Sequence, residues 1–212
     1  TKWLMLNSPS NPTGAVYSKD ELLALGEVLI KNTHVNILTD DIYEKIIYDD
    51  HIFCTLASIV PKLKNRTLTL NGVSKAYCMT GWRLGYCGGP KEIIAGMNKI
   101  QSQSNTSTSS ISMAASVEAL EGNQDFIDLH NVEFKKRRNM VVAKLNAIEG
   151  ITCSTPPGAF YVYPSCAGII GKATPAGEVI DTDEKFMNYL LESEGVAGVH
   201  GEAFGLSPYF RL

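Results

Sequence analysis

The sequence predicts an α/β protein: an incomplete three-layer αβα large domain built on a mostly parallel sheet over residues 1–110, followed by connecting helices and a smaller α+β domain over 111–212. Three observations carry this expectation. Strand-like apolar runs alternate with a helical pattern through the first part of the chain, as in parallel sheets covered by helices. Successive strands end in polar residues, first near Asn11, then at Asp40 and Tyr43, then at Lys75, and ligands of open α/β sheets gather beyond the carboxyl ends of strands. From about Ile111 the apolar period changes to that of long helices.

Taken in order, Lys2 to Leu6 is a short apolar run stopped by the turn formers Asn7-Ser8-Pro9-Ser10-Asn11-Pro12-Thr13-Gly14. A helix opens at Ser18, where Glu21 three residues on completes a capping box, and Leu22, Leu25 and Leu29 form its apolar stripe. Val35 to Thr39 reads as a buried strand that ends in the acidic pair Asp40-Asp41, with Ile42-Tyr43 after it. Thr67 to Leu70 is a third strand and leads into Asn71–Gly85, a glycine-flanked stretch holding Lys75 and Arg83 eight residues apart. Arg83 to Cys87 is a candidate fourth strand. Ser112–Leu120 and Asp125–Ile148 are helical patterns, and the basic run Lys135-Lys136-Arg137-Arg138 within the second reads as a solvated helix face. Ile151–Ser154, Ala159–Tyr163, a helix over Asp183–Glu194 and a strand over Val196–Val199 make up the small domain. No flexible linker separates the two parts.

Composition narrows the function. An apolar share of 44% supports a core, and a net charge of −3 offers no general attraction to nucleic acid or to an anionic membrane. Apolar stretches are too short to span a bilayer, so a soluble protein is expected, and the cysteine usage points to a reducing, cytoplasmic compartment. Cys54, Cys78, Cys87, Cys153 and Cys166 are odd in number and contain no C-x-x-C pair, which argues against a disulfide framework or a zinc site. The chain begins without an initiator methionine and stops on the apolar run Tyr209-Phe210-Arg211-Leu212, and both ends are expected to be cut from a longer protein.

Several chemistries are excluded. The glycines around Lys91 lack the phosphate-loop spacing, and neither G-x-G-x-x-G nor G-x-S-x-G occurs. What remains near strand ends is a lysine, an aspartate with a tyrosine three residues on, an asparagine and an arginine. Pyridoxal phosphate needs this set: an amine for its aldehyde, a carboxylate for its ring nitrogen, donors for its phenolic oxygen and a guanidinium for its phosphate. Taken singly, Asn11 reads as a turn residue, Tyr43 as core and Arg211 as a partner for a surface carboxylate, and the acidic pair leaves open whether Asp40 or Asp41 faces a site.

Asn11-Pro12-Thr13-Gly14, Asp40-Asp41-Ile42-Tyr43, Ser74-Lys75 with Met79-Thr80-Gly81-Trp82-Arg83-Leu84-Gly85, Gly158-Ala159-Phe160-Tyr161 and Phe210-Arg211-Leu212 together resemble the fold-type I aminotransferases of the aspartate aminotransferase class. The resemblance implies that this chain is the C-terminal half of such an enzyme, a homodimer in its full length, transferring an amino group between an aspartate- or glutamate-like L-amino acid and a 2-oxo acid by a ping-pong Schiff-base mechanism. Carried over by position, Lys75 would bind the cofactor covalently and move protons, and Asp40 would pair with its ring nitrogen. Tyr43 and Asn11 would bond its phenolic oxygen, Arg83 its phosphate, and Arg211, with Asn11 beside it, the substrate carboxylate. Cys78 stands where the family has a small Ala or Gly, and Gly72 where some relatives have a phosphate-binding serine. Two other readings stay open: a non-catalytic fragment, and a related lyase that eliminates at the β-carbon.

Overall fold

The computed structural model describes all residues from Thr1 to Leu212, and the chain divides into two compact units. The first comprises Thr1–Ser10 with Ala15–Asn131, and the second Asn11–Gly14 with Val132–Leu212.

In the first unit, β1 (Trp3–Asn7), α1 (Lys19–Lys31), β2 (Asn36–Asp40), α2 (Leu56–Ile59), β3 (Thr67–Gly72), β4 (Gly85–Gly88), α3 (Lys91–Ser104) and α4 (Ser110–Glu121) follow one another. The sheet has the order β1-β2-β3-β4, with β1, β2 and β3 parallel and β4 antiparallel to β3. This is the mostly parallel α/β architecture that the strand–helix alternation predicts.

The capping box at Ser18 is formed in both directions: Glu21 N–H donates to Ser18 Oγ at 3.3 Å, and Ser18 N–H to Glu21 Oε2 at 2.8 Å. Leu22 and Leu29 on the covered face of α1 meet Val35, Ile37, Leu56, Val60 and Leu63 in one core cluster. Gly26 allows the close approach, because a Cβ there would lie 2.8 Å from Val60 Cγ2. At the other end of α1 the Arg66 guanidinium donates to the carbonyls of Leu29, Asn32 and Val35, tying the helix C-terminus to the turn that leads into β2.

The helix α3 is not among the elements expected above, although its apolar Ile93, Ile94, Met97 and Ile100 recur at helical spacing; none of them is buried. The next helix, α5 (Asp125–Asn146), begins in the first unit. Ile127 on it joins Val73, Ala76 and Tyr77 in a second core cluster, with Ala119 of α4 and Phe126 packed against it. The division between compact units therefore falls inside α5, after Asn131, later than the change of pattern near residue 111.

In the second unit, α6 (Asp183–Glu194), β5 (Val199–His200) and β6 (Phe210–Arg211) pack with the later part of α5 around Val142, Leu145, Ile151, Val162, Ile180, Phe186 and Phe210. Thr182 caps the start of α6 and Gly195, at φ 67°, ends it in the left-handed region. The runs Ile151–Ser154 and Ala159–Tyr163 form no strand of their own: Thr152 bridges Ser165, Ser165 bridges Tyr209, and Val162 exchanges backbone hydrogen bonds with Leu212. Pro156, Pro157 and Pro164 supply no N–H to a ladder, which keeps these runs short. The basic run also departs from expectation at one residue. Lys136 pairs with Glu133 in solvent, but Arg138 is 8% exposed and donates to the Pro156 carbonyl at 3.0 Å. No helix is long and apolar enough to cross a membrane.

Candidate active site

In the first unit the register fixes where the polar strand ends fall. Asn7 is opposite Asp40, Asp40 opposite Leu70, and Gly72 opposite Gly85. Asp40, the turn after β3 that carries Lys75, and Arg83 just before β4 therefore lie at the same end of one sheet. Cross-strand bonds stiffen that end: Thr39 Oγ1 donates to Thr69 Oγ1 at 3.2 Å, and Asn7 Nδ2 to the Asp40 carbonyl at 3.0 Å.

Of the acidic pair, Asp40 is half-buried and its Oδ1 accepts the Ile42 N–H at 3.3 Å, an Asx-type turn that bends the chain out of the strand. Asp41 is 5% exposed. Burial pushes its carboxyl up to about 6, and the nearby carboxylates of Glu44 and Asp40 add to the rise. Tyr43 is 3% exposed, and Lys75 Nζ lies 5.9 Å from the centroid of its ring, within range of a cation–π attraction.

The Lys75 turn rests on a rigid base. Val73, Ala76 and Tyr77 are buried around Ile127, and the Tyr77 hydroxyl donates to Gln124 Oε1 at 3.0 Å. The Cys78 N–H closes the turn on the Lys75 carbonyl at 3.1 Å. Both departures from the family pattern have a local context here. Cys78 holds φ at 54°, a left-handed conformation that suits glycine. A Cβ on Gly72 would come 3.2 Å from the Leu84 carbonyl oxygen, so glycine lets β3 and the residues before β4 approach. Arg83, also at φ 54°, is exposed and donates to the Thr80 carbonyl at 3.0 Å.

In the second unit Arg211 and Asn11 meet. Arg211 Nη1 donates to Asn11 Oδ1 at 2.8 Å, joining residues from opposite ends of the chain. The guanidinium carbon is 4.9 Å from the Tyr161 ring centroid and 5.1 Å from that of Phe204. The loop bearing Asn11 is held by a steric fit: Gly14 is at φ 70°, its carbonyl accepts the Gly158 N–H at 3.0 Å, and a Cβ on it would lie 2.5 Å from Pro156 Cβ. A planar fork of donors fixed by an amide and two aromatic rings is suited to hold a carboxylate in two parallel hydrogen bonds.

The structure thus brings together Lys75 and Tyr43 in one unit and Asn11 with Arg211 in the other, and sets Asp40 and Arg83 at the sheet end that carries Lys75. Sequence reasoning assigned nothing to Phe204, Arg138 or Asp183. Phe204 lies in Gly201-Glu202-Ala203-Phe204-Gly205, where an aromatic between glycines was the available signal. Arg138 was hidden in a charge run. Tyr161 comes to lie against Arg211 because the next residues along, Val162 and Leu212, exchange backbone hydrogen bonds at 3.2 and 3.1 Å.

The sequence profile of aminotransferase class I and II matches residues 1–212. A probable aspartate/prephenate aminotransferase of Rhizobium leguminosarum bv. phaseoli is 58% identical over 212 residues, which is all of this chain and 53% of that protein. An aspartate aminotransferase of Rhizobium meliloti (strain 1021) is 56% identical over 212 residues, again all of this chain and 52% of that protein. The crystal structure of an aspartate aminotransferase from Rhizobium meliloti superimposes with a TM-score of 0.97 at 56% identity, covering all of this chain and 53% of the other. The chain spans about half the length of the curated relatives it matches.

Proposed function

This chain belongs to the aminotransferase class I and II family, and from that membership we propose that it serves pyridoxal-phosphate-dependent transfer of an amino group between an aspartate- or glutamate-like L-amino acid and a 2-oxo acid. The observation that carries the proposal is the ε-amine of Lys75 set 5.9 Å over the Tyr43 ring, at the sheet end where the neighbouring strand finishes in Asp40. The donor set fits the cofactor: an amine, a carboxylate and a phenol on adjoining strand ends, and a guanidinium at Arg83 beyond the same end. Aspartate as substrate is supported by the names of the relatives.

When bound, pyridoxal phosphate supplies an aldehyde for amines and a ring that accepts the electron pair left by the substrate α-hydrogen. Lys75 Nζ would hold the cofactor and, as a neutral base, would take the proton from the substrate α-carbon. Asp40 would keep the proton on the ring nitrogen through charge pairing. Tyr43 and Asn11 would donate to the phenolic oxygen, and Arg83 would bind phosphate as a permanent cation. Arg211 holds the substrate carboxylate, fixing which α-substituent faces the base; Tyr161 and Phe204 limit the guanidinium's freedom before substrate arrives. A homodimeric, cytoplasmic intact protein is part of the same proposal and is checked by sedimentation and cell fractionation.

The test is borohydride reduction of the intact protein with cofactor, followed by peptide mapping and an aspartate/2-oxoglutarate assay. A pyridoxyl label on Lys75, lost together with activity in Lys75→Ala, is expected. A label on another lysine, or activity that survives Lys75→Ala, would overturn the assignment.

A further inference from the structure

Asp183 is a fully buried carboxylate, at 0% exposure, to which the proposed chemistry gives no role. Burying a carboxylate is costly unless its oxygens are hydrogen-bonded. Here Oδ1 accepts the Glu184 N–H at 3.0 Å in the first turn of α6, where the helix dipole also favours an anion. Oδ2 accepts three further backbone donors: Gly201 N–H at 3.1 Å, Glu202 N–H at 3.2 Å and Tyr209 N–H at 3.3 Å.

Those three donors come from the two ends of one segment. Gly201 and Glu202 follow β5, and Tyr209 precedes β6, so a single oxygen pins both ends of the connection Gly201–Tyr209. The connection is further closed by Gly201 N–H to the Tyr209 carbonyl at 2.7 Å, and by the Tyr163 hydroxyl near the carbonyls of Gly201 and Leu206, each at 3.2 Å. Two things depend on its shape. Phe204 on it packs 5.1 Å from the Arg211 guanidinium carbon, and the chain passes from Tyr209 through Phe210 directly into Arg211. An apolar side chain of similar size could fill the space, but it could not accept three convergent N–H groups: Glu202 and Tyr209 N–H would lose this acceptor, and Gly201 N–H would keep only the Tyr209 carbonyl.

We propose that Asp183 is a positioning residue for the substrate-carboxylate group Arg211, acting through the Gly201–Tyr209 connection that its carboxylate staples at both ends. This rests on the reading of Arg211 as that group. Asp183 touches neither substrate nor cofactor; it sets the direction and restricts the motion of the guanidinium that does.

The experiment uses the intact protein in Asp183→Asn, Asp183→Ala, Arg211→Lys and Asp183→Asn/Arg211→Lys forms. Cofactor bound at Lys75 is followed by its visible absorbance, and single-turnover half-reactions are run with aspartate and with a primary amine that lacks the α-carboxylate. The expected result for Asp183→Asn is a fall of about tenfold or more in kcat/KM for aspartate, chiefly through KM, with the carboxylate-free amine unchanged within about twofold. In the double variant the loss should be far less than the product of the two single losses, because both act on one contact. Equal losses on aspartate and on the amine, or fully multiplicative losses in the double variant, overturn the proposal and assign Asp183 to fold maintenance alone. If Asp183→Ala does not fold, the isosteric Asn variant decides. If Arg211→Lys itself leaves aspartate kinetics unchanged, the reading of Arg211 fails and the inference falls with it. If Arg211→Lys is impaired and Asp183→Asn is not, only the inference falls.

Discussion

Asp41 gives the sharpest test of how the acidic pair is divided. Its carboxyl is pushed from 3.8 to about 6, chiefly by burial and then by the charges of Glu44 and Asp40, so the folded protein holds this proton more tightly than the unfolded chain does. The contribution to stability is therefore fully retained below about pH 4, declines as pH rises towards 6, and stays reduced above the folded value. A shift of this size corresponds to about 3 kcal/mol at neutral pH. Asp41→Asn removes the ionisation, so the difference in unfolding free energy between variant and parent should be small near pH 4, grow in favour of the variant up to about pH 6, and then level off. At neutral pH the melting temperature should rise on the order of 5–10 °C for a chain of this size. Urea unfolding at a series of pH values checks this, and using the difference between the two proteins cancels the other carboxylates. A difference that is flat with pH, or that favours the parent as pH rises, would refute the claim that Asp41 is a buried acid held against its ionisation. The pyridoxyl label on Lys75 should persist in Asp41→Asn, since this side chain faces the core.

Two backbone positions make further tests. Gly14→Ala places a Cβ 2.5 Å from Pro156 Cβ and 2.6 Å from the Gly158 carbonyl oxygen at φ 70°, where neither neighbour is a flexible side-chain end; a destabilisation of about 2–4 kcal/mol is expected, and a melting curve within a degree of the parent would contradict the fit described for that loop. Cys78→Gly relieves a left-handed non-glycine residue at φ 54°; relief of about 1–2 kcal/mol, less about 0.5–1 kcal/mol of added chain entropy in the unfolded state, predicts a small net gain in urea unfolding, and a clear loss would show that the Sγ contact with His130 Nδ1 at 3.8 Å outweighs the backbone effect.

Much of the first unit is legible in the sequence because its signals are local. Ser18 and Glu21 state the start of α1 by themselves, and β2 and β3 are short runs bounded by turn residues whose last residues are already polar. The sheet-end convergence of Asp40 and Lys75 follows once those strands are taken as parallel neighbours. Legibility fails where a side chain's role is set by residues far away in the chain. Arg138 looks like its neighbours Lys135, Lys136 and Arg137, and only the turn to Pro156, brought back after α5, makes it the buried member of the run. Asp183 reads as an ordinary acidic residue in the first turn of a helix, which it also is; nothing local indicates that three backbone donors near residues 201 and 209 will converge on it. Ala159–Tyr163 has the composition of a strand, but Pro156 and Pro157 before it and Pro164 after it supply no N–H to extend the pairing of Val162 with Leu212 into a ladder.

Asn11 shows why local reading and site reading diverge in this fold. By sequence it is one of several turn formers after β1 and should follow that strand into the first unit. Instead Ser10 N–H bonds to the Ala15 carbonyl at 2.9 Å, pinching off Asn11–Gly14 as a loop that packs with the second unit. Gly14 against Pro156 fixes the loop, and the Asn11 amide then fixes Arg211, two hundred residues away. The three features that look like simple punctuation, Asn-Pro-Thr-Gly, Pro-Pro-Gly and the terminal Phe-Arg-Leu, are thus parts of one contact. None of them is informative alone because each supplies only one surface of it. The same logic separates Arg211 from an ordinary surface arginine: an exposed guanidinium that merely pairs with a carboxylate needs no amide, no aromatic neighbours and no buried Asp183 behind its connection, and a protein that orders all of these around one cation restricts it to one direction, as the proposed capture of a substrate carboxylate requires.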